Sequence, residues 1–184
     1  MGHPAGRRAT YEDLLAVPEH FVAEIIHGQL VTQPRPAAKH ARAASSLGGE
    51  LYGPFDRGKG GPGGWVILDE PELHLEGHVL VPDLAGWRRA RLPEIQDIAA
   101  IEVVPDWVCE VLSPSTMATD RADKMPLYAS LCVTYLWLVD PLARTMEAYQ
   151  IQATRYSVLG TWRESAVVHA EPFEAVGLEL AALW

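Results

Sequence analysis

Hydrophobic and polar residues alternate along many short stretches of the chain, and this pattern predicts a protein rich in β-strands. Alternate side chains point to opposite faces of a strand, so a two-residue period marks a half-buried strand. The dipeptide His27-Gly28 separates two of these stretches and is typical of a tight hairpin. The predicted strands cover residues 21–26, 29–32, 65–68, 73–75, 79–87, 103–112, 135–140, 145–150, 155–159 and 166–169.

Three segments between the strands have the spacing or the end signals of helices. Thr10, followed three residues later by an acidic residue, is typical of a helix N-terminus. Residues 37–52 place apolar side chains at helical spacing, and residues 93–100 begin with proline, which favours the first helical position. This order of elements indicates the α/β class, with helices packed on a mixed β-sheet. The length of 184 residues predicts a single domain over residues 1–184.

Composition and charge limit the classes of function. The net charge of −9 argues against a protein that coats nucleic acid through bulk electrostatics, but it is compatible with an enzyme that has a local basic groove. Cys109 and Cys132 lie in apolar runs, which predicts buried free thiols in a reducing compartment. No apolar run is long enough to span a bilayer, and the first residues lack the apolar core of a signal peptide. We therefore expect a cytoplasmic protein.

Basic residues gather in three places along the sequence. Each group, taken alone, is typical of solvated surface charge. The groups are Arg35, Lys39 and Arg42; Arg57 and Lys59; and Arg88, Arg89 and Arg91.

A carboxylate, Glu110, stands among strand-forming apolar residues in one of the predicted strands. In residues 103–112, alternation places Glu110 on one face together with Val108 and Leu112. A carboxylate among aliphatic side chains costs several kcal/mol to desolvate unless it is paired or binds a cation. The sequence therefore predicts a compensating charge beside Glu110.

A second isolated carboxylate, Asp83, follows Val-Pro in the predicted strand 79–87. Neighbouring strands lie about 4.8 Å apart, so Asp83 and Glu110 would converge on one hard cation if their strands pair. Mg²⁺ is the natural candidate, with Mn²⁺ as a substitute, because it accepts a few carboxylates and keeps water and phosphate in its coordination sphere. Such an ion generates a hydroxide nucleophile and stabilises a phosphorane-like transition state. By itself, an aspartate after proline is also typical of a turn.

Lys124 is the candidate positive group. On a helix, Asp120, Lys124 and Tyr128 share one face through their i, i+4 spacing, although Pro126 would disturb that helix. Lys124 would then stabilise the attacked phosphate or help to deprotonate the water. The alternative is an ordinary surface ion pair between Lys124 and Asp120, which contributes little to stability.

Two further residues stay open at this point. Glu24 either joins the same acidic site or faces solvent on an edge strand. His40 either contacts substrate or caps a helix, and the second interpretation is favoured.

Four motifs together resemble those of the Uma-two (Uma2) family, whose members are described as restriction endonucleases within the PD-(D/E)XK nuclease superfamily. The resemblance extends over about residues 11–149 and includes His40 and an upstream segment, Ala-Glu24-Ile-Ile-His-Gly-Gln-Leu-Val, which is similar to Glu-Leu-Ile-Asp-Gly-Glu-Leu-Val in the family. It implies a restriction-endonuclease-like core, in which helices flank a mixed β-sheet. The four motifs are Val-Pro-Asp83; Glu110-Val-Leu-Ser-Pro-Ser-Thr116; Asp120-Arg-Ala-Asp-Lys124 with Tyr128; and Leu-Trp137-Leu-Val-Asp140-Pro141.

The resemblance also implies roles for individual residues. Asp83 matches the aspartate of the Pro-Asp motif, and Glu110 matches the acidic residue of the (D/E)-x-K motif. Position 112 is leucine, so the lysine is displaced to the following helix and matches Lys124. Glu24 matches a further carboxylate of the family. The implied catalytic set is Asp83, Glu110, Lys124 and Glu24, with Asp83 and Glu110 as the metal ligands.

Two positions depart from the family pattern, since His27 stands where aspartate is usual and Cys132 stands where glycine is usual. Three hypotheses follow for the function. The leading one is a Mg²⁺-dependent endonuclease that hydrolyses DNA, and the resemblance also suggests a homodimer. The alternatives are a non-catalytic interaction module that keeps the nuclease fold, and a metal hydrolase of a small phosphate ester.

Overall fold

The structure, a computed structural model, describes residues 7–95, 97 and 99–184. In this part of the chain, strands outnumber helices. The strands are β1 (Phe21–Ile26), β2 (Gln29–Pro34), β3 (Trp65–Asp69), β4 (Leu73–Leu75), β5 (His78–Leu80), β6 (Leu84–Arg88), β7 (Trp107–Val111), β8 (Tyr135–Asp140), β9 (Thr145–Gln152), β10 (Arg155–Arg163), β11 (Val167–Val168) and β12 (Leu178–Glu179). The helices are α1 (Tyr11–Leu15), α2 (Ala38–Leu51), α3 (Met117–Thr119) and α4 (Met125–Ser130), with π-helical turns at Tyr52–Asp56 and Asp120–Lys124 and a 3-10 turn at Leu180–Leu183.

A six-stranded sheet forms the centre of the fold, in the order β10-β9-β8-β7-β6-β3. Strands β7 and β8 run parallel, and the other neighbours in this sheet are antiparallel. A smaller sheet has the order β2-β1-β5-β4, and β11 pairs with β12. The predicted α/β class with a mixed sheet is therefore confirmed.

The central sheet buries apolar side chains on both faces. The side chains of β7 alternate between the two faces, as its sequence predicts. Trp107 and Val111 pack in a core with α2 and with Phe173 from the C-terminal segment. Val108 and Leu112 pack in a second core, together with α4 and residues of the smaller sheet. The side chain of Glu110 has the same parity as Val108 and points to this second side, where α4 lies.

Two local predictions near the N-terminus are confirmed. Thr10 caps α1, since its side chain accepts a hydrogen bond from the backbone of Asp13 and the Asp13 side chain binds the backbone of Thr10 in return. His27 and Gly28 both have positive φ, at 52° and 75°, as a tight two-residue hairpin requires.

Helix α2 continues past its two glycines as far as Leu51. A Cβ at Gly48 would lie 3.0 Å from Asp69 Oδ1 and 3.2 Å from Leu84 Cδ2, so the missing side chain lets α2 approach β3 and β6 closely. The low helix propensity of glycine is thus outweighed by packing.

Three predictions about individual segments are wrong. Residues 79–87 do not form one strand, because Pro82 has no N–H to donate and the chain passes from β5 in the smaller sheet to β6 in the central sheet. The described residues of segment 93–100 form no helix, and Ile95 is exposed, so this segment lacks a buried apolar face; residues 96 and 98 lie outside the described residues. Cys132 was predicted to be a buried thiol, but it is exposed. Its φ of 62° is a conformation that favours glycine, the usual residue at this position in the family.

No helix in the described ranges is both long enough and apolar enough to cross a membrane.

Candidate active site

Lys124 lies at the centre of a buried group of charges. Its Nζ is 2.7 Å from Glu110 Oε1 and 3.0 Å from Glu24 Oε1, and it is 4.0 Å from Asp120 Oδ1. The side chains of these four residues are between 3% and 4% exposed. The compensating charge that Glu110 requires is therefore supplied by Lys124.

Three elements bring these charges together. Strand β1 supplies Glu24, and the adjacent strand–helix unit supplies Glu110 at the end of β7 and Lys124 in the π-helical turn that follows. Tyr128, one turn later in α4, donates a hydrogen bond from its hydroxyl to Glu110 Oε1 at 2.6 Å. Glu24 Oε1 also accepts the backbone N–H of Val81 at 2.8 Å. The network thus links the smaller sheet, the central sheet and the helical segment.

Asp83 is held in the break between β5 and β6. Its Oδ2 accepts the backbone N–H of Val111 at 2.7 Å, directly after Glu110. Its Oδ1 lies 3.3 Å from Nε2 of His40, a residue of α2 whose side chain is 9% exposed. The two carboxylates of the sequence prediction, Asp83 and Glu110, are therefore neighbours at the same edge of the central sheet.

A pocket of about 280 Å³ opens at this edge. Its walls are the end of β7, the Ser-Pro-Ser-Thr segment after it, the start of α2 and the hairpin of β1 and β2. The charged or titratable groups on its wall are Glu24, Arg35, His40, Glu70, Asp83, Glu110, Asp120 and Lys124. All four residues of the predicted catalytic set thus line one pocket.

Burial and mutual attraction determine the ionisation of the group. Burial by itself lowers the pKa of Lys124, but the charges of Glu110 and Glu24 outweigh it, so the net pKa is raised and the ammonium keeps its proton. Burial raises the pKa of Glu110 well above its usual range, against the lowering effect of Lys124. Burial by itself also lowers the pKa of His40, but the hydrogen bond and the charge of Asp83 outweigh this effect, so the net pKa of His40 is raised. Three buried carboxyl groups thus surround one ammonium, and a cation bound beside them would favour their ionised form.

The family follows from comparison with known proteins. A family model described as "Uma2: Putative restriction endonuclease" matches residues 8–182. This chain belongs to the Uma2 family. The fold of this Uma2 protein is similar to the crystal structure of "a putative nuclease belonging to DUF820" from Anabaena variabilis, with a TM-score of 0.74 and 23% identity over 95% of this chain and 97% of that chain. The comparison with curated proteins gave no match.

The structure of this Uma2 chain decides between the alternatives that the sequence leaves open. Glu24 is 2% exposed and joins the acidic group, so it does not face solvent. Asp120 and Lys124 form a buried contact, so a surface ion pair is the wrong interpretation. His40 lies within α2 and contacts Asp83, so it is no helix cap.

Two contacts at the site were not predicted from the sequence, the bond from Tyr128 to Glu110 and the contact of His40 with Asp83. The i, i+4 spacing of Tyr128 from Lys124 was a signal for the first. The helix is disturbed before Pro126, as expected, because a π-helical turn at Asp120–Lys124 separates α3 from α4; Pro126 itself lies in the first turn of α4, where proline is favoured. The π-helical turn before it carries both Asp120 and Lys124 inward.

The stability of this Uma2 protein is expected to depend on pH through Asp120. Burial raises the pKa of Asp120 from 3.8 to about 6, against the lowering effect of Lys124. The folded protein therefore keeps a proton that the unfolded chain has released, and this stabilisation is complete below the unfolded pKa and lost as the pH rises through the folded pKa. We expect the wild type to lose on the order of 2 kcal/mol relative to Asp120→Asn between about pH 4 and about pH 6.

Urea unfolding of both proteins across this pH range measures the difference directly. The comparison removes the contributions of other carboxylates, since both proteins share them. A difference that stays constant with pH would show that Asp120 titrates normally in the folded state.

Proposed function

We propose that this protein is a divalent-metal-dependent endonuclease that hydrolyses phosphodiester bonds in DNA, with Mg²⁺ as the physiological ion. Membership in a family described as restriction endonucleases supports nuclease activity. The observation that carries the proposal is the position of Asp83 and Glu110, which lie side by side in one pocket next to the buried ammonium of Lys124.

The residues of the pocket fit Mg²⁺. Asp83 and Glu110 are hard oxygen donors on the wall of an open pocket, where acidic side chains outnumber the basic ones of Arg35, His40 and Lys124. Within the described ranges, no group of three or more His, Cys, Asp or Glu residues has the spacing of a metal site. The pair Asp83 and Glu110 therefore suits an ion that takes one or two carboxylates and fills its other coordination positions with water and phosphate, as Mg²⁺ does. When bound, Mg²⁺ would supply an activated water and neutralise charge on the phosphate.

Lys124 acts through its charge. Glu110 and Glu24 lie 2.7 Å and 3.0 Å from its Nζ, and their charges raise its pKa, which favours a charged role over that of a general base. It lies on the pocket wall, where an ammonium stabilises the negative charge that develops on the attacked phosphate. Glu24 is a positioning residue in this scheme, because it binds Lys124 Nζ and the backbone of Val81 with the same oxygen atom.

Tyr128 and His40 orient the two proposed metal ligands. Tyr128 is fully buried and donates to Glu110 Oε1, which fixes one oxygen of that carboxylate. His40 lies against Asp83 Oδ1 from the opposite side, on α2. Each carboxylate is therefore oriented by a neighbouring side chain and still lines the pocket.

Incubation of pure protein with supercoiled plasmid and with linear duplex DNA tests the proposal. We expect cleavage in Mg²⁺ or Mn²⁺ and none when the metal is chelated by EDTA. Cleavage of a generic phosphodiester but of neither DNA would instead support a hydrolase of small phosphate esters. Absence of cleavage of every substrate, together with no metal binding at millimolar concentration by calorimetry, would support the non-catalytic interaction module. The homodimer and the cytoplasmic location stay predictions.

A further inference from the structure

A second pocket lies beside α2 and has the opposite charge. Its volume is about 230 Å³, which is small for a drug-sized ligand and suits a single compact group. It is lined by Ala38, Lys39, Arg42, Pro141, Arg144 and Trp184. Three of these six residues carry a positive side chain and none carries a carboxylate side chain, in a chain whose net charge is −9. We propose that this pocket, the basic pocket, binds a phosphate group of the DNA backbone.

The basic pocket combines residues that are far apart in sequence. Lys39 and Arg42 come from α2, Arg144 comes from the turn between β8 and β9, and Trp184 follows the 3-10 turn at the C-terminal end of the sequence. Arg35, which precedes Lys39 in the same basic group of the sequence, lines instead the pocket of the candidate active site, called the acidic pocket below. The fold thus divides one basic group between two pockets and adds Arg144 to the second.

The walls of the basic pocket are held by hydrogen bonds. Asp140 Oδ1 accepts the backbone N–H groups of Leu142 and Ala143 at 2.9 Å and 2.8 Å, which closes the turn before Arg144. The indole Nε1 of Trp184 donates to the carbonyl of Glu164 at 2.8 Å. The cations therefore project from positioned backbone.

The positive charge of the basic pocket is largely uncompensated by protein. Arg144 lies 3.3 Å from Glu164 Oε2, but both side chains are more than half exposed, so this pair contributes little. Lys39 and Arg42 make no ion pair with any residue that the structure describes. An anion is the ligand that such a pocket binds, and arginine pairs well with phosphate oxygens.

The position of the basic pocket favours DNA over an isolated phosphate. Strands β7 and β8 are parallel neighbours, with Val111 opposite Val139, so their carboxyl ends lie at the same edge of the sheet. Glu110, near the carboxyl end of β7, lines the acidic pocket, and Pro141, directly after β8, lines the basic pocket. Helix α2 also contributes to both pockets, with His40 in the first and its neighbour Lys39 in the second. One backbone with repeated phosphates would then contact both pockets, and this part of the inference rests on the proposed nuclease function.

Fluorescence anisotropy of a short labelled DNA duplex, measured in EDTA at several salt concentrations, tests the basic pocket without requiring cleavage. We expect the Lys39→Gln/Arg42→Gln variant to bind roughly tenfold more weakly at low salt. The slope of log Kd against log salt should shrink by about 1 for each lost phosphate contact. The matched control is Arg57→Gln/Lys59→Gln. It removes the same charge from the loop of residues 57–64, between the π-helical turn at Tyr52–Asp56 and β3, and should change Kd much less.

Arg144→Gly gives a second variant that is not expected to impair folding. Arg144 has a φ of 53°, which glycine adopts without strain, so the change removes the charge and relieves the backbone. Weaker DNA binding with unchanged or higher thermal stability is the expected result. Equal losses in the pocket variant and the loop control would overturn the proposal, as would absence of DNA binding by the wild type or tighter binding of an RNA duplex of the same sequence. If the wild type binds DNA through Lys39 and Arg42 but does not cleave it in Mg²⁺, the nuclease proposal fails and the basic pocket stands.

Discussion

Lys124→Met is expected to lower the free energy of unfolding by about 3 to 5 kcal/mol at neutral pH. Methionine keeps much of the volume of the lysine stem but removes the only ammonium beside Glu24, Glu110 and Asp120 among the described residues. The buried acids would then have to take up protons or remain as unpaired charges, and the remaining hydrogen bonds from Tyr128 and Val81 are too few to offset this cost. Urea unfolding followed by tryptophan fluorescence measures the loss.

Arg121→Met is the matched control for this prediction. Arg121 lies in the same π-helical turn and pairs with Glu147 at 2.9 Å, but its side chain is 39% exposed. A partly solvated pair contributes about 0 to 1 kcal/mol, so the control should lose far less stability. The deficit of Lys124→Met should also shrink at acidic pH, because buried carboxylates are neutral there. Equal losses in the two variants would mean that the group around Lys124 does not carry the charges assigned to it.

Asp83→Asn is expected to lower the rate of Mg²⁺-dependent DNA cleavage on the order of 10³-fold, because the loss of a metal ligand removes several kcal/mol of transition-state stabilisation. The asparagine oxygen still accepts the N–H of Val111, which Asp83 Oδ2 binds at 2.7 Å, so the fold should be kept. The measurement is the initial rate of plasmid nicking at saturating Mg²⁺, alongside a thermal unfolding curve.

Asp69→Asn controls for the general effect of removing a carboxylate near this edge of the sheet. Asp69 ends β3 directly opposite Leu84, the residue after Asp83, but it does not line the acidic pocket. Its variant should cleave DNA at close to the wild-type rate. Full activity in Asp83→Asn would remove Asp83 from the mechanism.

The fold could be predicted from sequence where a short local pattern decides the structure. The alternation around Glu110 gave the correct faces of β7, and Thr10 and His27-Gly28 marked a helix start and a hairpin. Prediction failed where packing at a distance decides. The closeness of α2 to β3 and β6 at Gly48, and the passage of the chain between two sheets at Pro82, depend on elements that are far apart in sequence.

The candidate site shows the same division. An isolated carboxylate in an apolar strand was enough to predict a compensating cation, and the spacing of Asp120, Lys124 and Tyr128 placed them on one face. The identity of that cation could not be derived, since a bound metal and a buried lysine satisfy the same electrostatic need. The structure shows the lysine at 2.7 Å from Glu110, and the metal is a proposal that the oxygen donors on the pocket wall support.

The local pattern did not place Glu24 or His40 at the site, and only the resemblance to the Uma2 family pointed to Glu24. From the sequence, Glu24 could equally face solvent on an edge strand, and His40 could cap the start of a helix. Only the packing of β1 against the break at Val81, and of α2 against Asp83, places both residues at the pocket.

The central claim is that Asp83 and Glu110 together bind the divalent cation. A crystal of the wild-type protein soaked in Mn²⁺, with data collected to reveal anomalous scattering, tests it most directly. We predict one anomalous peak in contact with a carboxylate oxygen of each residue, and no such peak in an Asp83→Asn crystal treated in the same way. An empty pocket in the soaked wild type, or a peak that persists in the variant, would contradict the claim.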